Sequence, residues 1–453
     1  MADADYQKPD SLAAADQKLG DTDIWTHSDL VLSPDAKRTV LRPFLPEYPE
    51  PYSGEYEPRL HVIVERLLGL HDDNLVERGI YRMTELIGAR HRNMEKILLR
   101  SFDDLVQKGA VPADARVDDR RKLLIGAFFN EEYSFEAAAL FNPSIVRHWD
   151  QSNVPEGSVR FLLSLRGIGE GHVSSVTFRT GIWNGDGDIV VDAPSTYAEP
   201  PTIEPLKEKG GDEASLCLTF EDIEDISEAV LFPMAPSQRQ GIEDLRLVQF
   251  QEDDGATHYV GTYTAFSGSA IRQEILSTED FRTFRMQALE GEFAQNKGMA
   301  LFPRRVDGRY TMLGRLDNES IFLMRSDQLY CWDEAERIVM PHYPWEFVQI
   351  GNCGSPIEID EGWLVMIHGV GMVRNYSISA CLLDKKDPSK LLGRTRRPLL
   401  RSAPDHRDGY VPNVVYSCGS LVMGRKLLLP YGVADNYASF SATDIDTILS
   451  MMD

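Results

Sequence analysis

Two spacings of apolar residues divide this chain. Between residue 59 and about residue 109, Leu60, Val62, Ile63, Leu67 and Leu68 recur at helical spacing; so do Ile80, Met83, Leu86 and Ile87, then Met94, Ile97, Leu98 and Phe102. Apolar positions three and four apart predict two or three amphipathic helices here. His71 and His91 fall in this stretch and read as helix-surface residues. From about residue 122 the pattern turns to β, beginning with the short apolar run Leu123–Phe129. Val159–Arg166 and Val173–Arg179 then flank a turn. Apolar second strands follow at Tyr259–Thr264, Tyr310–Arg315, Trp363–His368 and Leu427–Tyr431, three of them after the turns Asp307-Gly308, Asp360-Glu-Gly362 and Met423-Gly424. Further strands are read at Ile271–Leu276, Ser320–Met324 and Tyr376–Leu383.

The later units recur every ~50–65 residues, in the range of propeller blades and unlike the unspaced strands of a sandwich. Counting the first unit gives five. The expected fold is therefore an all-β, five-bladed β-propeller with an N-terminal helical extension. Residues 1–24 read as a disordered acidic tail, and 25–120 as a Pro-rich extended segment followed by helices. Residues 121–453 read as the propeller, with a Pro-, Asp- and Glu-rich insertion at about 184–240. The helices are the expected contact if the chain forms a homo-oligomer.

Composition narrows the classes of function. The 453 residues are 42% apolar and carry a formal charge of −24. That acidity disfavours phosphate backbones and anionic membrane surfaces, so neither nucleic acid nor membrane is an expected partner. No apolar run approaches the ~20 residues of a membrane helix. The opening Met-Ala-Asp-Ala-Asp-Tyr lacks a signal-like apolar region, and the five scattered cysteines read as reduced thiols of a cytoplasmic protein. No zinc or other metal motif is present, nor a Walker loop, and Gly167-Ile-Gly-Glu-Gly-His172 has the wrong spacing for a dinucleotide fingerprint. No metal or cofactor is expected.

Candidate chemistry gathers at equivalent strand ends. Arg166, Thr264, Arg315 and His368 end their apolar strands, and Asp435 lies just beyond Tyr431. A propeller would collect these at one face of its axis. Glu243 and Asp244 precede the apolar run from Leu245. Acids with arginines and histidine, without a metal, suit glycosyl transfer. Transfer to water needs an acid and a base, ~6.5–9.5 Å apart in inverting enzymes. Transfer to phosphate needs cations to hold the anion in place of a base.

From about residue 120 onward the chain resembles glycoside hydrolase family 130, the β-mannoside phosphorylases and β-1,2-mannosidases. The phrases that carry this are Phe141-Asn-Pro-Ser144, Gly241-Ile-Glu-Asp-Leu-Arg246, Lys297-Gly-Met-Ala-Leu-Phe-Pro303, Gly351–Trp363, His368-Gly-Val370, Asp384–Ser389, Val411–Val415 and Tyr431-Gly-Val-Ala-Asp435. The resemblance implies a five-bladed propeller. It implies that Asp244 is the proton donor, although Leu245 replaces the usual proline of that phrase. It implies that Asn142, Ser144 and Asp435 hold the sugar, and that Arg166, Lys297, Arg315, His368 and Tyr376 form the basic and polar surround that holds phosphate in phosphorylases. Where phosphorylases of the family carry a lysine, this chain has Glu358, and Glu319 is a second acid placed on the same rim. That exchange favours a metal-independent inverting hydrolase of β-mannosides, with Asp244 as acid and Glu358 or Glu319 as base. The alternative is a phosphorylase that takes inorganic phosphate as co-substrate and releases mannose 1-phosphate; a third reading is a non-catalytic sugar-binding propeller. The expected partner is a manno-oligosaccharide or another β-mannoside.

Overall fold

The computed structural model describes residues 23–48, 57–112, 114–185, 187–206, 215–402 and 407–453. The expected acidic tail, apart from its last two residues, lies outside them. The fold is mostly β with few helices, and no helix among the described residues is long and apolar enough to cross a membrane.

Four helices, α1 (Arg59–Leu68), α2 (Asp73–Ile87), α3 (Met94–Gln107) and α4 (Asp119–Phe128), precede the main sheets. The run at 123–129, read above as the onset of β structure, belongs largely to α4. Asp118 caps that helix by accepting from Arg121 N at 3.0 Å, a start signal that outweighs the run's apolar character. Val64, Leu67, Phe102, Leu105 and Ile125 form the core of this element. His91, expected on a helix surface, is buried, with Nε2 2.9 Å from Glu132 Oε1. The outer face of α2 leaves Tyr81 and Leu86 exposed.

The strands then form five successive antiparallel sheets, the first two joined into one by a single bridge, beside a separate pair of Val40–Pro43 with Asn130–Tyr133. The first holds Ala139–Arg147, Val159–Ile168 and Ser174–Trp183. The second runs outward from Gly241–Gln251 through Thr257–Phe266, Ile271–Thr278 and Thr283–Ala288. One parallel bridge, Gly241 to Ser174, connects these two sheets. The third holds Lys297–Leu301, Tyr310–Arg315, Ile321–Ser326 and Ala335–Val339. The fourth centres on Trp363–Val370 and Tyr376–Leu383, with Gln349–Asn352 and Ile357–Glu358 on its inner edge. The fifth holds Val415–Tyr416, Leu421–Met423, Lys426–Val433 and Tyr437–Asp444, and its outer strand is Thr26–Leu32 from the start of the chain. The stretch at 184–240 supplies further edge strands. Ile189–Val191 and Val230–Leu231 pair with the first sheet, while Ser215–Thr219 and Thr202–Leu206 extend the second.

Each sheet buries a face on the next. Phe178 and Leu162 pack on Leu247 and Tyr263 between the first and second. Phe250 and Val260 meet Met299 and Met312 between the second and third. Phe302 and Leu313 meet Trp363 and Val365 between the third and fourth. Met366 and Ile378 meet Leu429 and Tyr431 between the fourth and fifth. The fifth sheet returns to the first, where Leu428 and Phe440 pack on Phe161 and Leu163.

A buried ion cluster ties the N-terminal segment to the first sheet. Glu136, with no exposed surface, accepts from Arg38 Nη1 at 3.1 Å through both oxygens and from Arg179 Nη2 at 2.9 and 3.0 Å. Burial, reinforced by the Arg179 charge, lowers the Arg38 guanidinium to about 10 against the pull of Glu136. Replacing one partner of such a buried set strands the others without a counter-charge, which costs ~3–5 kcal/mol. Glu136→Gln is therefore expected to lower the unfolding free energy measured by urea titration by that order, and a change well under 1 kcal/mol would show that the cluster does not anchor the segment.

Candidate active site

Two bulges build the centre of the site. The inner strand of the first sheet shifts register between Phe141 and Ser144, and that of the second between Glu243 and Arg246. Asn142 (φ 47°) and Asp244 (φ 54°) occupy these bulges in the left-handed region, which asparagine and aspartate tolerate better than most residues. A bulge re-aims a side chain that regular pleating would direct elsewhere. Here Asn142 Nδ2 donates to Asp244 Oδ1 at 2.7 Å.

Arg166, at the end of the next strand, fixes the acid pair. Its Nη1 donates to Asp244 Oδ1 at 3.2 Å, its Nη2 to Glu243 Oε1 at 2.8 Å, and its Nε to Ser174 Oγ at 2.9 Å. Lys297 Nζ reaches Glu243 Oε2 at 3.1 Å. Burial alone would raise the Asp244 carboxyl. The Arg166 charge, the Asn142 amide and the charges of Arg246 and Lys297 outweigh it and hold Asp244 below the usual carboxylate range. Asp435 (φ 51°), in the turn after the Lys426–Val433 strand, shows the opposite balance. Burial, then the Asp244 charge, pushes it up to about 6 against Arg166 and Arg374. Its carboxylate makes no hydrogen bond to another described residue.

A second group lies beyond Arg246. That buried guanidinium donates to Asn352 O at 2.7 Å and to Tyr416 Oη at 2.5 Å. Tyr416 stands edge-on to His368 (centroids 4.9 Å apart), and Tyr376 stacks on the same ring at 5.8 Å and meets Tyr416 edge-on at 6.3 Å. Arg315 Nη1 lies 3.3 Å from His368 Nε2. The Gln349 amide is best oriented with its oxygen toward the same Nη1 at 2.5 Å, which leaves Nη2 without a described partner. Burial, then the charges of Arg315 and Arg246, holds His368 far below its ordinary range, so the ring is neutral. Among the described residues neither Arg315 nor Arg246 has a carboxylate at ion-pair distance.

The structure thus gathers Asn142, Asp244, Arg166, Lys297 and Asp435 in one group, and Arg315, His368 and Tyr376 in an adjoining one bridged by Arg246. Ser144 departs from its expected place, because it is fully buried and its Oγ accepts from Leu247 N at 3.0 Å beneath Asn142. The Thr264 hydroxyl is likewise turned inward to Gln273, at 2.9 Å. Glu319 is exposed in the turn after Arg315, where Asp317 accepts its backbone N at 2.9 Å, and its side chain bonds to no described residue.

The expected approach of Glu358 to Asp244 is not observed. Glu358 is clamped by Arg304 Nε and Nη2 at 2.7 and 2.8 Å, with Lys385 Nζ at 3.5 Å. It pairs with Trp363, whereas His368 lies five residues further along that strand, roughly 17 Å away at the strand rise. Sequence reasoning gave no role to Arg246, Tyr416 or Gln349. Arg246 was visible in its phrase, immediately after the acid pair and Leu245; the other two stand beside strand ends without a distinctive neighbour. Among the described residues no group of three or more His, Cys, Asp or Glu could hold a metal ion.

This geometry has relatives. The family model for glycoside hydrolase family 130, described as beta-1,4-mannooligosaccharide phosphorylase, matches residues 220–453, just over half of the chain. A beta-1,2-mannobiose phosphorylase of Listeria innocua is 31% identical over 232 residues, 49% of this chain and 63% of that enzyme. A 1,2-beta-oligomannan phosphorylase of a Thermoanaerobacter species is 34% identical over 229 residues, 49% of this chain and 75% of the relative. The match to the Listeria innocua enzyme thus spans less than two thirds of its length. The solved complex of that enzyme with beta-1,2-mannobiose covers 70% of this chain and 92% of its own at 20% identity, with a TM-score of 0.51, a likeness of fold. These relatives are named phosphorylases, which goes against the expected preference for hydrolysis. With the family model spanning the last four sheets and the Glu243–Asp244 pair, the chain belongs to glycoside hydrolase family 130.

Proposed function

We propose that the protein is an inverting, phosphate-dependent β-mannoside phosphorylase built on a five-bladed β-propeller. The closed sequence of interfaces supports the propeller, since each sheet packs on the next and the fifth on the first. The observation that carries the reaction is Arg315. In a chain of net charge −24, its Nη2 is unspent and it has no carboxylate partner among the described residues; it borders a neutral histidine and two tyrosines. A guanidinium held this way suits an oxyanion ligand. Neither acid expected as the base of a hydrolase stands beside Asp244. Glu358 is clamped by Arg304 at the far end of the strands, and Glu319 stands exposed on a turn.

In this reading Asn142 and Asp435 orient the mannosyl unit, while Arg315, His368, Tyr376 and Lys297 receive phosphate. Arg166 holds Asp244 below the usual carboxylate range. Arrival of a phosphate dianion offsets the surrounding positive charge and raises Asp244 toward protonation. A phosphate oxygen then forms a bond to the anomeric carbon as the glycosidic C–O bond breaks. Asp244 passes its proton, by way of a sugar hydroxyl, to the departing oxygen and regains one from the phosphate group. The products are mannose 1-phosphate and a shortened saccharide.

Sugar release from β-1,2- and β-1,4-mannobiose is expected to require inorganic phosphate; equal release without it would overturn the proposal. Asp244→Asn should lower kcat by ~10²–10⁴-fold. Arg315→Ala should raise the KM for phosphate by ~10–100-fold, the worth of a charge-assisted hydrogen bond of ~1.5–3 kcal/mol, while the KM for the saccharide stays near its original value.

Asp435 gives a prediction on stability. Its folded value, about 6, lies above that of the unfolded chain, so the folded state keeps a proton that the unfolded state has lost. Stability from this group is full below ~4 and declines as pH rises through about 6. Asp435→Asn is therefore expected to raise the melting temperature at pH 8, by the equivalent of up to ~3 kcal/mol, and to leave it unchanged near pH 4. A destabilised variant at pH 8 would show that Asp435 is held by contacts that outweigh its burial.

A further inference from the structure

Glu358 and several polar side chains at the far end of the inner strands take no part in the chemistry above. They line a cavity of about 530 Å³, with Arg147, Gln249, Glu358 and Leu421 from the strands of the first, second, fourth and fifth sheets and Pro303 just past the Lys297–Leu301 strand of the third. Arg147 stands five residues beyond Asn142, and Gln249 five beyond Asp244, so this mouth opens ~15 Å or more from the catalytic group. Between the two ends runs a tight floor. Ser144 Oγ holds Leu247 N there, and a Cβ on Gly419 would come within 2.7 Å of that hydroxyl.

The lining selects a ligand. The volume falls in the ~300–1,000 Å³ range of small-molecule sites and has room for a disaccharide. Ile357 and Leu421 supply apolar wall, suited to the C–H face of a pyranose. The side chains of Gln249, Ser158 and Ser420 have no hydrogen-bond partner among the described residues, so donors and acceptors stand ready for hydroxyl groups. Of the two charged lining residues, Glu358 is neutralised by Arg304 in a planar two-bond pair. A hydrocarbon would leave the amide and hydroxyls unpaired, and a strong anion would find a single cation, Arg147, in place of the cluster of cations that an oxyanion site needs. A neutral polyhydroxylated molecule satisfies both constraints.

We propose that this cavity is a second, non-catalytic saccharide site at the opposite mouth of the ring from Asp244. The choice of a mannoside as its ligand rests on the function proposed above. The test uses the full chain carrying Asp244→Asn, without phosphate, titrated calorimetrically with β-1,2-mannobiose and, separately, β-1,4-mannobiose. Two sites are expected. Adding Ser158→Trp, which fills the cavity, or Gln249→Leu, which removes only the amide, should weaken one of them at least ~10-fold. In the chain with Asp244 intact, the same two substitutions should leave phosphate-dependent turnover unchanged. Melting temperatures report folding, and Gln249→Leu decides the matter if the tryptophan is not tolerated. A single site that survives both substitutions and is lost with Asp435→Ala overturns the second site and leaves the active-site reading standing. Absence of binding by either disaccharide overturns both.

Discussion

The short hydrogen bond from Asn142 to Asp244 joins two bulges, and the site depends on that junction. Each bulge breaks the pleat of the leading strand of its sheet. Without the left-handed turn, Asp244 would follow the alternation of its strand and face a neighbouring sheet. Arg166 completes the junction by binding both acids of the pair, so one cation fixes the orientation of two carboxylates. The positive φ at both positions is strain that the surrounding hydrogen bonds hold in place.

Around this junction the molecule separates charge on a small scale. Glu243 and Asp244 take up Arg166 and Lys297, whereas Arg246 and Arg315 are left facing neutral partners. Burying an uncompensated guanidinium is unfavourable unless its nitrogens are bonded, and Arg246 meets that condition through a backbone carbonyl and the Tyr416 hydroxyl. The consequence is a neutral His368 beside two cations. Such a group stabilises an incoming anion.

Much of this was legible in the primary structure. The alternation in strands such as Trp363–Val370 and the turns before them reported the sheets, because one face of each strand must be apolar to pack on its neighbour. Helix α4 is not legible in the run 123–129, because a short apolar run has no decisive period and its start is marked only by the cap at Asp118. The edge strands lie within 184–240, whose composition reads as an insertion. An edge strand is held by backbone hydrogen bonds on one side and makes little demand on side chains.

The sheet-rich class, the helical prelude and the chemical identity of the groups that meet Asp244 follow from local periodicity and residue type. The remainder comes from long-range packing. That packing brought Thr26–Leu32 onto Tyr437–Asp444, a pairing that leaves no local trace, and it buried Ser144 under the site. It also set Glu358 at the opposite end of its strand from His368, in the grip of Arg304. A phrase in the chain fixes a residue's place along a strand; which end faces the reacting atoms, and which counter-charge arrives first, is settled by packing between segments distant in sequence.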